Sequence, residues 1–168
     1  MAGPYRGVVA DLDGTLLRRD HTISTYTAET LQLLMQKGIP VVFATGRPHP
    51  AALHTVDSCG LHGGYVITSN GARVNDPQRR VITAHDLDPA VVTELMQLQL
   101  PALEGEPPEK SAFSTNMYRH DEWVTSHGVE RMLAAYAASG FHYKEVKDIH
   151  NYPNDGVHEI FYVGPHET

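Results

Sequence analysis

Short apolar runs alternate with stretches of helical periodicity from the start of the chain to about residue 68. Gly7-Val8-Val9-Ala10 is a β-branched run bounded by glycine, and Asp11-Leu12-Asp13-Gly14 follows at once, which predicts a buried strand opening into a loop. From Ser24 to Lys37, Ala28, Leu31, Leu34 and Met35 fall on helical spacing, with Ser24 or Thr25 available as N-cap and Gly38 in the stop position. Ile39 to Ala44 is a second strand-length apolar run, closed by Thr45-Gly46-Arg47-Pro48. A helix from about Pro50 to Cys59 and a strand at Tyr65 to Thr68 repeat the unit. Such β-α-β-α-β order predicts parallel strands joined by right-handed crossovers, in the manner of a Rossmann-like α/β core.

After Asn70-Gly71 the pattern changes. Ala72 to Asn75 and Arg80 to Ala84 flank Asp76-Pro77-Gln78, which predicts an antiparallel hairpin. Asp88 caps a helix carrying Val91, Val92, Leu95, Met96 and Leu98 that is expected to end near Pro101, and Glu104 to Lys110 reads as a loop. Strand-like pieces follow at Ala112 to Tyr118 and Glu122 to Val124, then a helix near Val129 to Ser139 closed by Gly140, then strands at His142 to Val146 and Val157 to Val163. The second half therefore reads as an α+β layer distinct from the parallel sheet. We expect residues 1–85 to form the N-terminal part of the core and residues 86–168 an α+β cap, with the boundary between 84 and 88.

Composition narrows the partners. A formal net charge of -7 with both signs interspersed gives no basic surface for nucleic acid or anionic lipid, so a small molecule is the expected ligand. No signal-peptide pattern precedes the first strand, and no apolar run approaches the roughly 20 residues that span a bilayer. Cys59 is the single cysteine, which suits a reducing, cytoplasmic setting. Oligomeric state is not legible.

Open parallel sheets bind ligands at the carboxyl ends of their strands, and three successive strand ends carry Asp11-Leu12-Asp13-Gly14-Thr15, Thr45-Gly46-Arg47 and Ser69-Asn70-Gly71. Asp11 and Asp13 form a pair suited to a hard cation such as Mg²⁺, which takes oxygen ligands and keeps water and phosphate in its shell. With positive charge between them, Asp11 is placed to attack phosphorus and Asp13 to move the proton. Thr45, Gly46 and the amide of Leu12 suit phosphoryl oxygens. Asn70-Gly71 is a favoured turn pair with substrate contact as a second role. The 11 histidines are scattered singly, which predicts surface positions, with His49 at the mouth of the site the partial exception.

Asp11-Leu12-Asp13-Gly14-Thr15-Leu16-Leu17 resembles the first motif of the haloacid dehalogenase superfamily, and Ala44-Thr45-Gly46-Arg47-Pro48 resembles its second. With Ile67-Thr68-Ser69-Asn70-Gly71-Ala72 at this spacing, the chain looks like a Cof-type phosphatase with an α+β cap inserted after the second motif. Asn116 to Trp123 further resembles the bacterial sugar-phosphate and pyridoxal-phosphate phosphatases. The resemblance implies that Asp11 is nucleophile and Mg²⁺ ligand. It implies that Asp13 is acid/base and lends its carbonyl to the ion. It assigns Leu12, Thr45 and Gly46 to phosphate, and Arg47, Asn70, Gly71 and the cap to substrate. Members of that family continue past the cap strands with a lysine and a further acidic motif. Neither is found here, since Lys144 and Lys147 fall in the cap region and Asn154-Asp155-Gly156 lacks the required context.

Two readings therefore stand at this level. One is a Mg²⁺-dependent hydrolase of small phosphate monoesters, present as an N-terminal portion that is weak or inactive alone. The other is a non-catalytic remnant that keeps the fold and phosphate or partner binding.

Overall fold

The computed structural model describes residues 5–98, 113–128 and 130–164, and the chain divides into two compact units, Met1–His85 and Asp86–Thr168. In the first unit the elements are β1 (Val8–Asp11), α1 (Thr25–Gln36), β2 (Val41–Ala44), α2 (His49–Ser58), β3 (Tyr65–Thr68), β4 (Arg73–Asn75) and β5 (Val81–Ala84). Their sheet has the order β1-β2-β3-β4-β5. β1, β2 and β3 run parallel, and β4 and β5 add on antiparallel.

Local signals explain the boundaries. The Ser24 side chain accepts a hydrogen bond from Thr27 N at 3.0 Å and starts α1, while Gly38 at φ 74° takes the left-handed conformation that stops it. Pro48, extended at φ -60° and ψ 150°, precedes α2, and Pro50 sits in its first turn. β2 begins at Val41, later than the apolar run from Ile39, because Pro40 has no N–H to pair with a neighbouring strand. The hairpin of β4 and β5 turns on Asp76, whose Oδ1 accepts from the N–H groups of Gln78 and Arg80 at 2.9 Å each.

Leu31, Val41, Phe43, Ala52, Val56, Leu61 and Val66 form the core of this unit, together with Leu12 and Leu17 from the loop after β1. Leu17 N donates to Leu12 O at 2.8 Å and Leu16 N to Asp11 O at 3.3 Å, so the acidic loop is folded back on itself and pinned by two buried leucines. Gly14 at φ 75° permits that reversal.

The second unit holds α3 (Pro89–Met96), β6 (Ser114–Arg119), β7 (Glu122–Thr125), α4 (Glu130–Tyr136), β8 (Tyr143–Glu145) and β9 (Val157–Val163), with sheet order β8-β7-β6-β9. Val92, Met96, Met117, Val124, Ile149 and Val157 make one apolar cluster. Around Trp123, which is buried, lie Tyr118, Tyr136, Phe141 and Tyr143, with ring centroids 5.3–6.1 Å from the indole. The indole Nε1 donates to Asn116 Oδ1 at 2.9 Å, which satisfies an amide that has no exposure at all.

Two expectations are corrected here. The helix after Asp88 ends at Met96, so Leu98 lies beyond it and is half exposed, as is Val91 on its outer side; the expected end at Pro101 and the loop over 104–110 lie outside the described residues. His158 is buried at 8% exposure beside the Tyr118 ring, where a surface histidine was expected. Among the described residues no helix is long and apolar enough to cross a membrane.

Candidate active site

The parallel register decides where the chemistry collects. Asp11 pairs with Ala44 and Ala44 with Ile67, so β1, β2 and β3 end level with one another and release Leu12-Asp13, Thr45-Gly46-Arg47 and Ser69-Asn70-Gly71 at a common rim. Thr45 N donates to Ile67 O and Ser69 N to Arg47 O, each at 2.9 Å, which ties the second and third loops together.

Each acid has its own partner. Asp11 is exposed, and its Oδ2 accepts from the Thr15 hydroxyl at 3.0 Å across the turn that Gly14 allows. Asp13 is held from both sides of its carboxylate by Arg47, whose Nε donates to Oδ2 at 2.7 Å and Nη2 to Oδ1 at 2.6 Å. Arg47 is itself braced, because Nη1 donates to Thr55 Oγ1 at 2.9 Å and Nη2 lies 3.3 Å from His21 Nδ1. The guanidinium keeps 13% exposure while the Asp13 carboxylate keeps 48%, so the pair is sheltered on the arginine side and wet on the other. The hydrogen bonds from Arg47 hold the Asp13 carboxyl below the usual carboxylate range, aided by the Arg47 and His21 charges and opposed by burial.

Thr45 is buried at 7% exposure, and its hydroxyl accepts from Arg47 N at 3.1 Å, which leaves the hydroxyl proton to be given elsewhere. Gly46 is needed for closeness, since a Cβ there would lie 2.8 Å from Asn70 Oδ1. Asn70 thus packs directly over the glycine, in a turn where Ser69, Asn70 and Gly71 all have positive φ, at 49°, 53° and 100°. A serine in that region is uncommon and stores strain at the rim of the sheet. Thr68 Oγ1 and Ser69 Oγ are buried there with no hydrogen-bond partner.

The sequence reasoning located Asp11, Leu12, Asp13, Thr45, Gly46, Arg47, Asn70 and Gly71, and all eight lie on these three loops or at the strand ends that feed them. It missed Thr55 and His21, which brace Arg47. Thr55 had a signal, being a polar residue among Ala51, Ala52 and Val56 on the buried side of α2. His49 lies half-buried with Nε2 2.9 Å from Asn75 Oδ1, an amide fixed in turn on Val66 O.

As donors for a hard cation the residues fit in part. Asp11 offers a carboxylate with one oxygen engaged by a hydroxyl donor, whereas both Asp13 oxygens are taken by the guanidinium. Among the described residues no group of three or more His, Cys, Asp and Glu gathers for a metal. That set suits Mg²⁺ held through one or two protein carboxyl or carbonyl oxygens, with the remainder of its shell from water and phosphate.

Comparison with known proteins gives the family and the fold. The profile of the haloacid dehalogenase-like hydrolases matches residues 8–168. A Haemophilus influenzae protein provisionally described as a phosphatase is 34% identical over 161 residues, covering 96% of this chain and 56% of the relative. The HMP-PP phosphatase of Serratia proteamaculans is 34% identical over 164 residues, covering 97% and 56%. The chain thus spans little more than half the length of these relatives. A crystal structure of a haloacid dehalogenase-like hydrolase from Bacteroides thetaiotaomicron has the same fold at a TM-score of 0.71 and 23% identity, covering 91% of this chain and 56% of that one.

Proposed function

The chain belongs to the haloacid dehalogenase-like hydrolases, and from that premise we propose that it carries the nucleophile-bearing part of a Mg²⁺-dependent phosphatase for small phosphate monoesters. The observation that carries the reading is the convergence at one sheet rim of Asp11, the Asp13–Arg47 pair and Thr45. The ester class is that of sugar phosphates or pyridoxal phosphate, and the name of the Serratia proteamaculans relative adds HMP-PP to the panel. A cytoplasmic setting belongs to the same reading and suits the lone Cys59.

In this reading an Asp11 carboxylate oxygen attacks phosphorus, the bond from phosphorus to the ester oxygen breaks, and an aspartyl-phosphate forms. Asp13 gives a proton to the departing oxygen. It then takes one from the water that attacks phosphorus and frees Asp11. The Asp11 carboxylate and the Asp13 carbonyl would hold Mg²⁺, which would supply the positive charge that lets a carboxylate approach a phosphate. Thr45 and the amides of Leu12 and Gly46 donate to the phosphoryl oxygens. The observed pairing suits the second half, in which Asp13 acts as a base. The first half needs a proton on Asp13, which the Arg47 contact opposes, so the arriving substrate must draw Arg47 aside. Arg47, Asn70 and Gly71 then border the departing group.

The second reading, a remnant that binds phosphate without turnover, is favoured by the engagement of both Asp13 oxygens and by the small donor set for a metal. One experiment separates the two. Mg²⁺-dependent release of phosphate from p-nitrophenyl phosphate, sugar phosphates, pyridoxal phosphate and HMP-PP is measured for this chain, for Asp11→Asn, and for a version joined to the remainder of a relative. Turnover by any form that keeps Asp11, reduced by a factor of about 10³ or more in its Asp11→Asn variant, upholds the phosphatase; phosphate binding without turnover in every form upholds the remnant.

A further inference from the structure

β9 carries one residue more than the strand it pairs with, and the extra residue gathers polar side chains around one ring. Tyr118 of β6 stands opposite Glu159 and Arg119 opposite Val157, so His158 has no residue across from it and the strand bulges there. A bulge sets two residues against one and re-aims their side chains. Glu159 lies on the Tyr118 side of the sheet, because directly paired residues share a face. His158 reaches the same ring, with its centroid 6.4 Å from that of Tyr118. Phe161, two residues along β9 from Glu159, is on that side as well, and its ring centroid is 5.1 Å from that of Tyr118. Tyr118 and His158 are buried while Glu159 and Phe161 are half-buried, so the group is open on the β9 side.

The carboxyl group is the member of this cluster without a partner. Glu159 Oε2 is buried and makes no hydrogen bond. Arg119, the next residue of β6, alternates to the other face, where its guanidinium holds Asp155 and Glu122. His158 turns Nδ1 towards Gly156 O at 3.4 Å. Burial, then Tyr136 and the Glu159 charge, push the Tyr118 phenol up, so it stays a neutral ring, and burial alone raises the Glu159 carboxyl. A buried carboxylate without an internal cation has to take a proton or a positive charge from outside. We infer that Glu159, with the rings of Tyr118 and Phe161, is a binding site for a primary ammonium group, one N–H donated to Oε2 and the attached carbon laid against the rings. Each part of that ligand answers a part of the site. The oxygen takes a charged donor, and the aromatic pair favours an organic cation over a strongly hydrated metal ion. Among the described residues no group of three or more His, Cys, Asp and Glu gathers for a metal. A phosphate would be repelled by the carboxylate, and a neutral sugar would leave its charge unmatched.

This site needs no turnover, so its test is independent of the phosphatase reading. Methylammonium chloride is titrated into the whole chain at about pH 8, with sodium chloride exchanged for it at constant ionic strength. NMR follows the ring protons of Tyr118 and Phe161 and the carboxyl carbon of Glu159. All three are expected to shift along one saturating curve, and the Glu159 midpoint is expected to fall when methylammonium is present, because a cation that binds the ionised form competes with the proton. Tetramethylammonium, which has no N–H to donate, is expected to bind more weakly. Glu159→Gln, which keeps the shape of the side chain, is expected to weaken methylammonium by at least about tenfold. Phe161→Leu keeps the carboxylate and is expected to lose part of the preference for methylammonium over sodium. No saturable shift in a folded chain whose Glu159 is seen to be ionised overturns the proposal. So does a Glu159 that keeps its proton at about pH 8, an equal response to sodium, or an unchanged affinity in Glu159→Gln.

Discussion

Arg47 reaches from the end of β2 to clasp both carboxylate oxygens of Asp13, with Nε at 2.7 Å and Nη2 at 2.6 Å. The two residues are 34 positions apart, and the contact exists because parallel pairing brings the ends of β1 and β2 to one rim. It makes the protonation of Asp13 a property of a residue outside its own loop.

Replacing Arg47 by alanine is expected to raise the Asp13 midpoint towards the ordinary carboxylate value of 3.8, read by NMR titration of the carboxyl carbon. The sign follows from linkage. A carboxyl with a lowered folded pKa contributes stability above its unfolded pKa and loses it as pH falls through the folded value, so the variant loses that acid-side dependence. Because Asp13 is half exposed, the stability change near neutrality should stay below about 1 kcal/mol. An unmoved midpoint would contradict the pairing.

Gly46→Ala brings a methyl to 2.8 Å from Asn70 Oδ1. Asn70 is exposed and able to swing away, so thermal stability is expected to change by less than about 1 kcal/mol. Its side-chain amide resonance should nevertheless shift, and inorganic phosphate binding should weaken. Asn70→Ala in the same background relieves the contact, and a double-mutant cycle in phosphate affinity is expected to show coupling between the two positions.

Trp123→Phe removes the donor to Asn116 Oδ1, a buried acceptor. The expected loss is about 1–3 kcal/mol in urea unfolding of the second unit, since an unmet buried group carries its full desolvation cost. Pairing the change with Asn116→Leu should recover part of that loss, because the unmet Oδ1 is removed, although the bonds from Asn116 Nδ2 to Ser114 O and Oγ go with it. Additive losses would show that the hydrogen bond contributes little.

Glu159 gives a pH effect of opposite sign. Burial raises its carboxyl above the ordinary value of 4.5, and Oε2 is buried without a partner. Stability linked to the protonated acid is complete below the unfolded pKa and declines as pH rises through the raised folded value. Glu159→Gln is expected to flatten that decline and to raise the melting temperature near neutral pH, checked by melts from about pH 4 to about pH 8. A variant that melts lower at neutral pH would show that the carboxylate has a stabilising role.

Elements with strong local signals were legible along the chain. The Ser24 cap and Gly38 stop bracket α1, and the strand at Val157 to Val163 has the bounds its pattern indicates. The α3 end was misjudged because Leu98 continues the apolar count after the helix has closed at Gln97. Periodicity marks which residues are apolar. It does not say where backbone hydrogen bonding stops.

The same division runs through the site. The sequence by itself determined that acidic, hydroxyl and glycine residues stand at the ends of three strands, because strand length and loop chemistry are local properties written in neighbouring residues. Only the tertiary structure decided that Arg47 belongs to Asp13, that Thr55 and His21 brace it, and that a bulge sets Glu159 beside Tyr118. Those are contacts between segments far apart in the chain, and register, crossover hand and packing settle them together.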